Sequence, residues 1–164
     1  MLKSLRLHNI AIIESLDLAF EEGFTVLTGE TGAGKSLLID ALDALFGGAQ
    51  GSAGLRLLRK DADRSQIEAT FELTPSVSHW LKKHSYDISN TDLIISREWV
   101  RREEKFISRT RIDGIAANRL QIQGLRSLLL DFTIQGQSLQ MSKPGYQRFW
   151  LDEFGGMVIK EKLL

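Results

Sequence analysis

The sequence predicts an α/β fold, with an antiparallel β portion beside a partly parallel core sheet. Three observations carry this. Period-two apolar patterns near the start lead through Phe24-Thr25-Val26-Leu27 into helical spacing at Ser36–Phe46. Residues Gln66–Leu73 alternate cleanly, with Ile67, Ala69, Phe71 and Leu73 on one face and Gln66, Glu68, Thr70 and Glu72 on the other. Asp113-Gly114, flanked by Ile112 and Ile115, is a hairpin turn signal.

Each element has its own local cause. Leu5 and Leu7 alternate with Arg6 and His8, and Leu16, Leu18 and Phe20 with Asp17 and Ala19, as half-buried strands do. Glu21-Glu22-Gly23 turns the chain into the short apolar strand Phe24–Leu27, which is bounded by Gly29. The next helix carries Leu37, Leu38, Ala41, Leu42 and Leu45 and stops at Gly47-Gly48. Residues 47–65, with Gly47, Gly48, Gly51 and Gly54, read as a mobile surface loop. Pro75 opens a short helix with Val77, Trp80 and Leu81. Strands follow at Asp92–Val100 and Lys105–Ile112. Asn118 and Gln121 resemble a cap pair for a helix over Arg119–Leu129. A short strand at Asp131–Ile134 and an apolar helical stripe (Tyr146, Phe149, Trp150, Phe154), ended by Gly155-Gly156, complete the reading.

Composition bounds the function. The 164 residues are 43% hydrophobic and 26% charged, enough to fill one core and remain soluble. Twenty-one basic residues cancel twenty-one acidic ones, which excludes a bulk-charge binder of nucleic acid or membrane but not a local basic patch. The absence of cysteine excludes disulfides, thiolate catalysis and Cys-ligated metals. Apolar runs such as Ile10–Ile13 reach only about four residues, too short for a membrane span. The expected location is cytoplasmic.

One stretch carries chemistry. Gly29-Glu30-Thr31-Gly32-Ala33-Gly34-Lys35-Ser36 fits G-x-x-x-x-G-K-[ST], the phosphate-binding P-loop or Walker A. Glycines let backbone N–H groups wrap a phosphate, and the following helix adds its N-terminal dipole. Lys35 then reaches the β- and γ-phosphates of a nucleotide, and the Ser36 hydroxyl ligates Mg²⁺. The flanking apolar strand and amphipathic helix are the context a P-loop needs.

The P-loop alone leaves the nucleotide class open. No N-K-x-D guanine reader is present. Asp152-Glu153 after Phe149-Trp150-Leu151 has the outline of a Walker B, but its helical spacing and the following Gly155-Gly156 make it a helix end. Two alternatives stay open from the residues themselves. One is a stand-alone P-loop kinase or ATPase of another family with Asp152 in the metal-binding role; the other is a nucleotide-independent interaction module.

Several stretches taken together resemble the RecN family of bacterial SMC-like DNA repair ATPases. They are Met1–Glu14, the Thr28–Ser36 run with Leu38-Ile39-Asp40-Ala41-Leu42, Ile67–Phe71, Ile134-Gln135-Gly136-Gln137 and Leu151–Gly156. The resemblance implies a P-loop NTPase of ABC/SMC type whose head is split in sequence around a long coiled coil. By that resemblance, residues 1–156 are the N-terminal lobe, with the P-loop at 29–36 and an antiparallel insertion at about 66–115, and 157–164 begin a truncated coiled-coil helix. ATP and Mg²⁺ are the implied cofactors. Hydrolysis would require the C-terminal lobe, which carries the signature and Walker B sequences. A second head in a homodimer, and DNA in the full protein, are the implied partners, in double-strand-break repair and recombination; no membrane is implied. Gln137 matches the family's Q-loop position, where a side-chain oxygen helps ligate Mg²⁺. Gln135 stands where the family has His, so two glutamines straddle Gly136.

Other residues have blander readings beside sharper ones. Arg97, Arg101, Arg102, Lys105, Arg109 and Arg111 outnumber Glu98, Glu103 and Glu104, as a stripe for phosphate backbones or as cross-strand ion pairs. Arg56, Arg59 and Lys60 sit in the loop after the P-loop helix. His8, His79 and His84 lack metal-ligand spacing, though His8-Asn9 lies close enough in sequence to line an adenine or ribose pocket. Trp80, Trp99 and Trp150 read as core or interface anchors.

Overall fold

A computed structural model of the chain describes residues 1–30, 34–48, 56–88, 90–103, 105–130, 145, 148 and 151. Met1–Leu129 forms one compact unit, and Leu130–Leu164 forms a second. The expected strand at Asp131–Ile134, the Gln135–Gln137 segment and Asp152-Glu153 lie outside the described residues.

Six strands make one sheet in the order β2-β1-β3-β4-β5-β6. They are β1 (Leu2–Ile10), β2 (Ile13–Ala19), β3 (Arg64–Glu72), β4 (Asp92–Arg102), β5 (Lys105–Ile112) and β6 (Ile115–Ala117). Every pairing among them is antiparallel, so the described strands show the expected antiparallel portion and no parallel pair. Three helices that lie wholly within the described residues accompany them: α1 (Lys35–Leu45), α2 (Pro75–Lys83) and α3 (Arg119–Leu129). The alternation read from sequence decides which side chains face inward. Leu7 pairs with Leu16 and Ile67, Leu5 with Leu18 and Ala69, and Ala69 with Ile95, so one face is continuously apolar.

Helix α1 lies against β3 and β4 on that face. Its Ala41, Leu42, Ala44 and Leu45 are buried, and Phe46 meets Phe71 edge to face at 5.8 Å. Each such large side chain contributes about 1.5–3 kcal/mol relative to exposure. Arg97 of β4 then fixes the far end of α1. Its guanidinium donates to the carbonyl of Ala44 and to Ser108 Oγ, and lies 4.8 Å from the Trp99 ring centroid. Burial pulls its pKa below the ordinary arginine value. A cation at the helix C-terminus also complements the dipole. Helix α3 adds a second tie to α1, from Arg126 to Asp43 at 2.7 Å.

The opposite face is polar, and its charges are paired across strands. Arg6 meets both Asp17 and Glu68, while Glu98 meets both Arg64 and Arg111. The more exposed of these, Arg6 with Asp17, is of a kind that contributes little, about 0–1 kcal/mol. Of the basic stripe expected on β4 and β5, Arg97, Arg101 and Arg111 are engaged in ion pairs or hydrogen bonds.

Two expectations change. Residues 47–65 were expected as a mobile surface loop, but the stretch after Arg56 is pinned. Leu57, Leu58 and Ala62 are buried, and Leu58 bridges Ile10 of β1. Apolar side chains at three of these positions outweigh the glycines earlier in the stretch. Phe24–Leu27, expected as a strand, joins no ladder among the described residues. Phe24 is 92% exposed and Val26 61%, so these apolar side chains find no packing partner within the described sheet.

Candidate phosphate-binding site

The stretch from Phe24 to Glu30 delivers the chain to the start of α1 without regular structure. Gly34 is the N-cap residue, at φ 86° and ψ 8°, a left-handed conformation that a side chain resists. The helix therefore begins with no side-chain cap and with no acid in its first turn. The Leu37 N–H donates to the Gly34 carbonyl at 3.0 Å, and the positive dipole end of the helix favours an anion. Lys35 occupies the first helical position, and its ammonium donates to the carbonyl of Glu30 at 2.6 Å and to that of Gly29. The ammonium is thus folded over the loop it follows. Ser36, next along the helix, is exposed.

Beside this cradle runs a groove of about 480 Å³. Thr28, Gly34 and Lys35 form its polar end, Glu14 and Ser15 also line it, and Ile12, Ile13, Leu16, Leu18, Leu27 and Leu38 supply its apolar wall. Leu16 and Leu18 belong to edge strand β2 and point to the core side, where the helices leave them half-covered. The tip of the β1–β2 hairpin comes close to the phosphate end. A Cβ placed on Gly34 would sit 3.9 Å from Ile12 Cδ1 and 4.0 Å from Ile13 Cδ1. One end thus suits a polyphosphate and the wall a flat apolar group.

A second cleft of about 230 Å³ opens on the polar face, lined by Arg6, His8, Asp17, Gln66 and Glu68 among others. Its Arg6 is already held by Asp17 and Glu68, so the cleft offers no unspent cation to a ligand. His8 lines this cleft and is absent from the lining of the groove.

Of the residues expected at the site, Gly29, Glu30, Gly34, Lys35 and Ser36 are described at the start of α1, with the Lys35 ammonium bonded to Gly29 and Glu30. Thr31, Gly32, Ala33 and Gln137 lie outside the described residues. The hairpin wall was missed. A usable signal was present, because Ile10-Ala11-Ile12-Ile13 places apolar residues where a strand-to-strand turn ordinarily carries polar ones.

A family profile described as an AAA domain matches residues 4–147. The chain belongs to the AAA domain family. Its sequence relatives bear out the resemblance to RecN. It is 41% identical to the DNA repair protein RecN of Synechocystis over 99% of this chain and 27% of that protein. It is 34% identical to RecN of Vibrio cholerae over 95% of this chain and 27% of the relative. For RecN of Bacillus subtilis the identity is 33%, over 99% and 28%. The chain thus spans somewhat over a quarter of the length of these curated relatives. Among solved structures, the recombination mediator protein RecF with ATP matches at a TM-score of 0.58 and 16% identity, covering 92% of this chain and 36% of that one. That likeness speaks for the fold alone, an α/β P-loop NTPase lobe. No helix among the described residues is long and apolar enough to cross a membrane.

Proposed function

We propose that this AAA-domain chain is the ATP-binding N-terminal lobe of a RecN-like head, acting in DNA double-strand-break repair and recombination. One observation carries the reading. The helix that follows the P-loop glycines starts uncapped, with Lys35 over the loop and an apolar groove beside it. Gly29–Ser36 bind the phosphates, Lys35 neutralises charge at the β- and γ-positions, and the groove wall receives the nucleoside.

The donor set fits a Mg²⁺ that arrives on the nucleotide. Among the described residues no cluster of three or more His, Asp or Glu is placed to hold a resident ion. Ser36 supplies one hydroxyl oxygen, which suits an ion that keeps its remaining bonds to phosphate and water. Gln137 is proposed as a second oxygen donor. When bound, Mg²⁺ offsets phosphate charge; the chain's own part is to hold and orient the phosphates.

Residues 1–156 are proposed as the lobe and 157–164 as the start of a coiled-coil helix. The C-terminal lobe of the same head, a second head and DNA are the proposed partners, and the cytoplasm, at the nucleoid, the proposed location. The exposed Phe24, Val26 and Leu27 support completion by another lobe, since covering one such side chain stabilises by about 1.5–3 kcal/mol. Alone, the chain binds ATP weakly and hydrolyses it negligibly. Calorimetric titration with ATP should show Mg²⁺-dependent binding that Ser36→Ala weakens. Steady phosphate release by the purified chain, abolished by Lys35→Ala, would show that no second lobe is required.

A further inference from the structure

We infer that Asn9 and Ser65 are positioning residues that set the nucleoside wall of the groove, an inference that rests on the nucleotide reading above. The connection Ala11-Ile12 joins β1 to β2 and brings Ile12 and Ile13 against Gly34. Two residues there hold left-handed backbone, Asn9 at φ 53° and Ala11 at φ 47°. Asparagine tolerates this conformation, whereas alanine resists it. Such residues persist where their surroundings over-determine them.

Here the surroundings come chiefly from one distant segment, residues 57–65, beside a contact of Asn9 Nδ2 with the neighbouring His8 Nε2 at 3.1 Å. The Ala11 N–H donates to the Leu57 carbonyl at 2.8 Å, and the Arg59 N–H donates to the Asn9 carbonyl at 3.2 Å. Ser65 Oγ donates to the same Asn9 carbonyl at 2.8 Å, and Asn9 Nδ2 donates to the Arg64 carbonyl at 3.0 Å. Ser65 is fully buried, although nearly all other buried side chains among the described residues are apolar. Neither Asn9 nor Ser65 lines the groove, so both act through the turn they hold. A general structural role would weaken every ligand alike. A positioning role weakens only a ligand that reaches the wall.

Inorganic tripolyphosphate fills the phosphate end alone, whereas ATP also reaches Ile12 and Ile13. The test titrates the 164-residue chain, Asn9→Gly and Ser65→Ala with each ligand and Mg²⁺, while recording the Ile12 and Ile13 methyl resonances. Asn9→Gly removes the amide but keeps the backbone conformation accessible, so it decides the matter if Ser65→Ala fails to fold. Losing one neutral hydrogen bond of the clamp should lower ATP affinity about fivefold. Tripolyphosphate affinity should stay unchanged, and the two methyl resonances should move in the unliganded variants. Equal losses for both ligands, or unchanged ATP affinity, overturn the positioning role alone. Binding of neither ligand to the unmodified chain overturns the nucleotide reading and the positioning role with it.

Discussion

Helices α1 and α3 begin in opposite ways, although both are 11 residues long and amphipathic. At α3, Gln121 Oε1 accepts from the Asn118 N–H at 2.9 Å and Asn118 Oδ1 accepts from the Gln121 N–H at 3.0 Å. This reciprocal box satisfies two donors that a helix start leaves bare. Helix α2 is capped as well, by Thr74 with Pro75 in its first turn. Helix α1 alone of the three has glycine at the cap and no side chain turned back on its N–H groups. Its other end is tied to the sheet through Arg97. A helix held at its C-terminus and uncapped at its N-terminus leaves its capping donors to a ligand, the role proposed above for α1. At α3, capping serves stability.

That contrast can be broken experimentally, beginning with the cation. Lys35→Ala should lower triphosphate affinity about 10- to 100-fold in a calorimetric titration, the range for a lost charge-assisted hydrogen bond, while leaving the melting temperature of the free chain nearly unchanged. Next comes the cap itself. Gly34→Ala has space for its methyl, but the left-handed backbone should cost about 1–2 kcal/mol, read by urea unfolding, with phosphate affinity falling too. Asn118→Ala should destabilise by about 1 kcal/mol in the same assay and leave ligand affinity alone. If Asn118→Ala weakened triphosphate binding as Lys35→Ala does, the division of roles between the two helix starts would fail.

The smallest effect tests a region remote from both starts. Burial raises the pKa of Tyr86 above the usual tyrosine value, because its charged form is disfavoured indoors. Above the ordinary tyrosine pKa the unfolded chain has lost that proton while the folded chain keeps it. Stability should therefore decline as pH rises through the folded value. Tyr86→Phe should flatten that alkaline slope in pH-dependent unfolding and leave the helix-start contrast untouched.

The P-loop sequence was readable in the chain because its residues are consecutive. Gly29 to Ser36 needs only a local turn and a helix start, and both are encoded within eight positions. The capping box at Asn118 and Gln121, three residues apart, was readable for the same reason. The strand alternations at Leu5–Leu7 and Ile67–Phe71 likewise named the core face in advance. The wall of the groove was not readable, since Ile12 and Leu38 are brought together only when β2 folds beside α1. Likewise the burial of Leu57 and Leu58 depends on the β1 end they cover, while their neighbourhood in sequence is rich in glycine.

By itself, then, the sequence determined the glycine-led start of α1, the approximate helix boundaries and the face each strand buries. All of these rest on interactions between residues a few positions apart. Only the tertiary structure decided that Phe24–Leu27 finds no partner among the described strands, that Arg97 anchors α1, and that a segment some 50 residues downstream holds the hairpin tip beside Lys35. Those outcomes depend on which surfaces remain uncovered once the sheet closes, and local pattern carries no record of that.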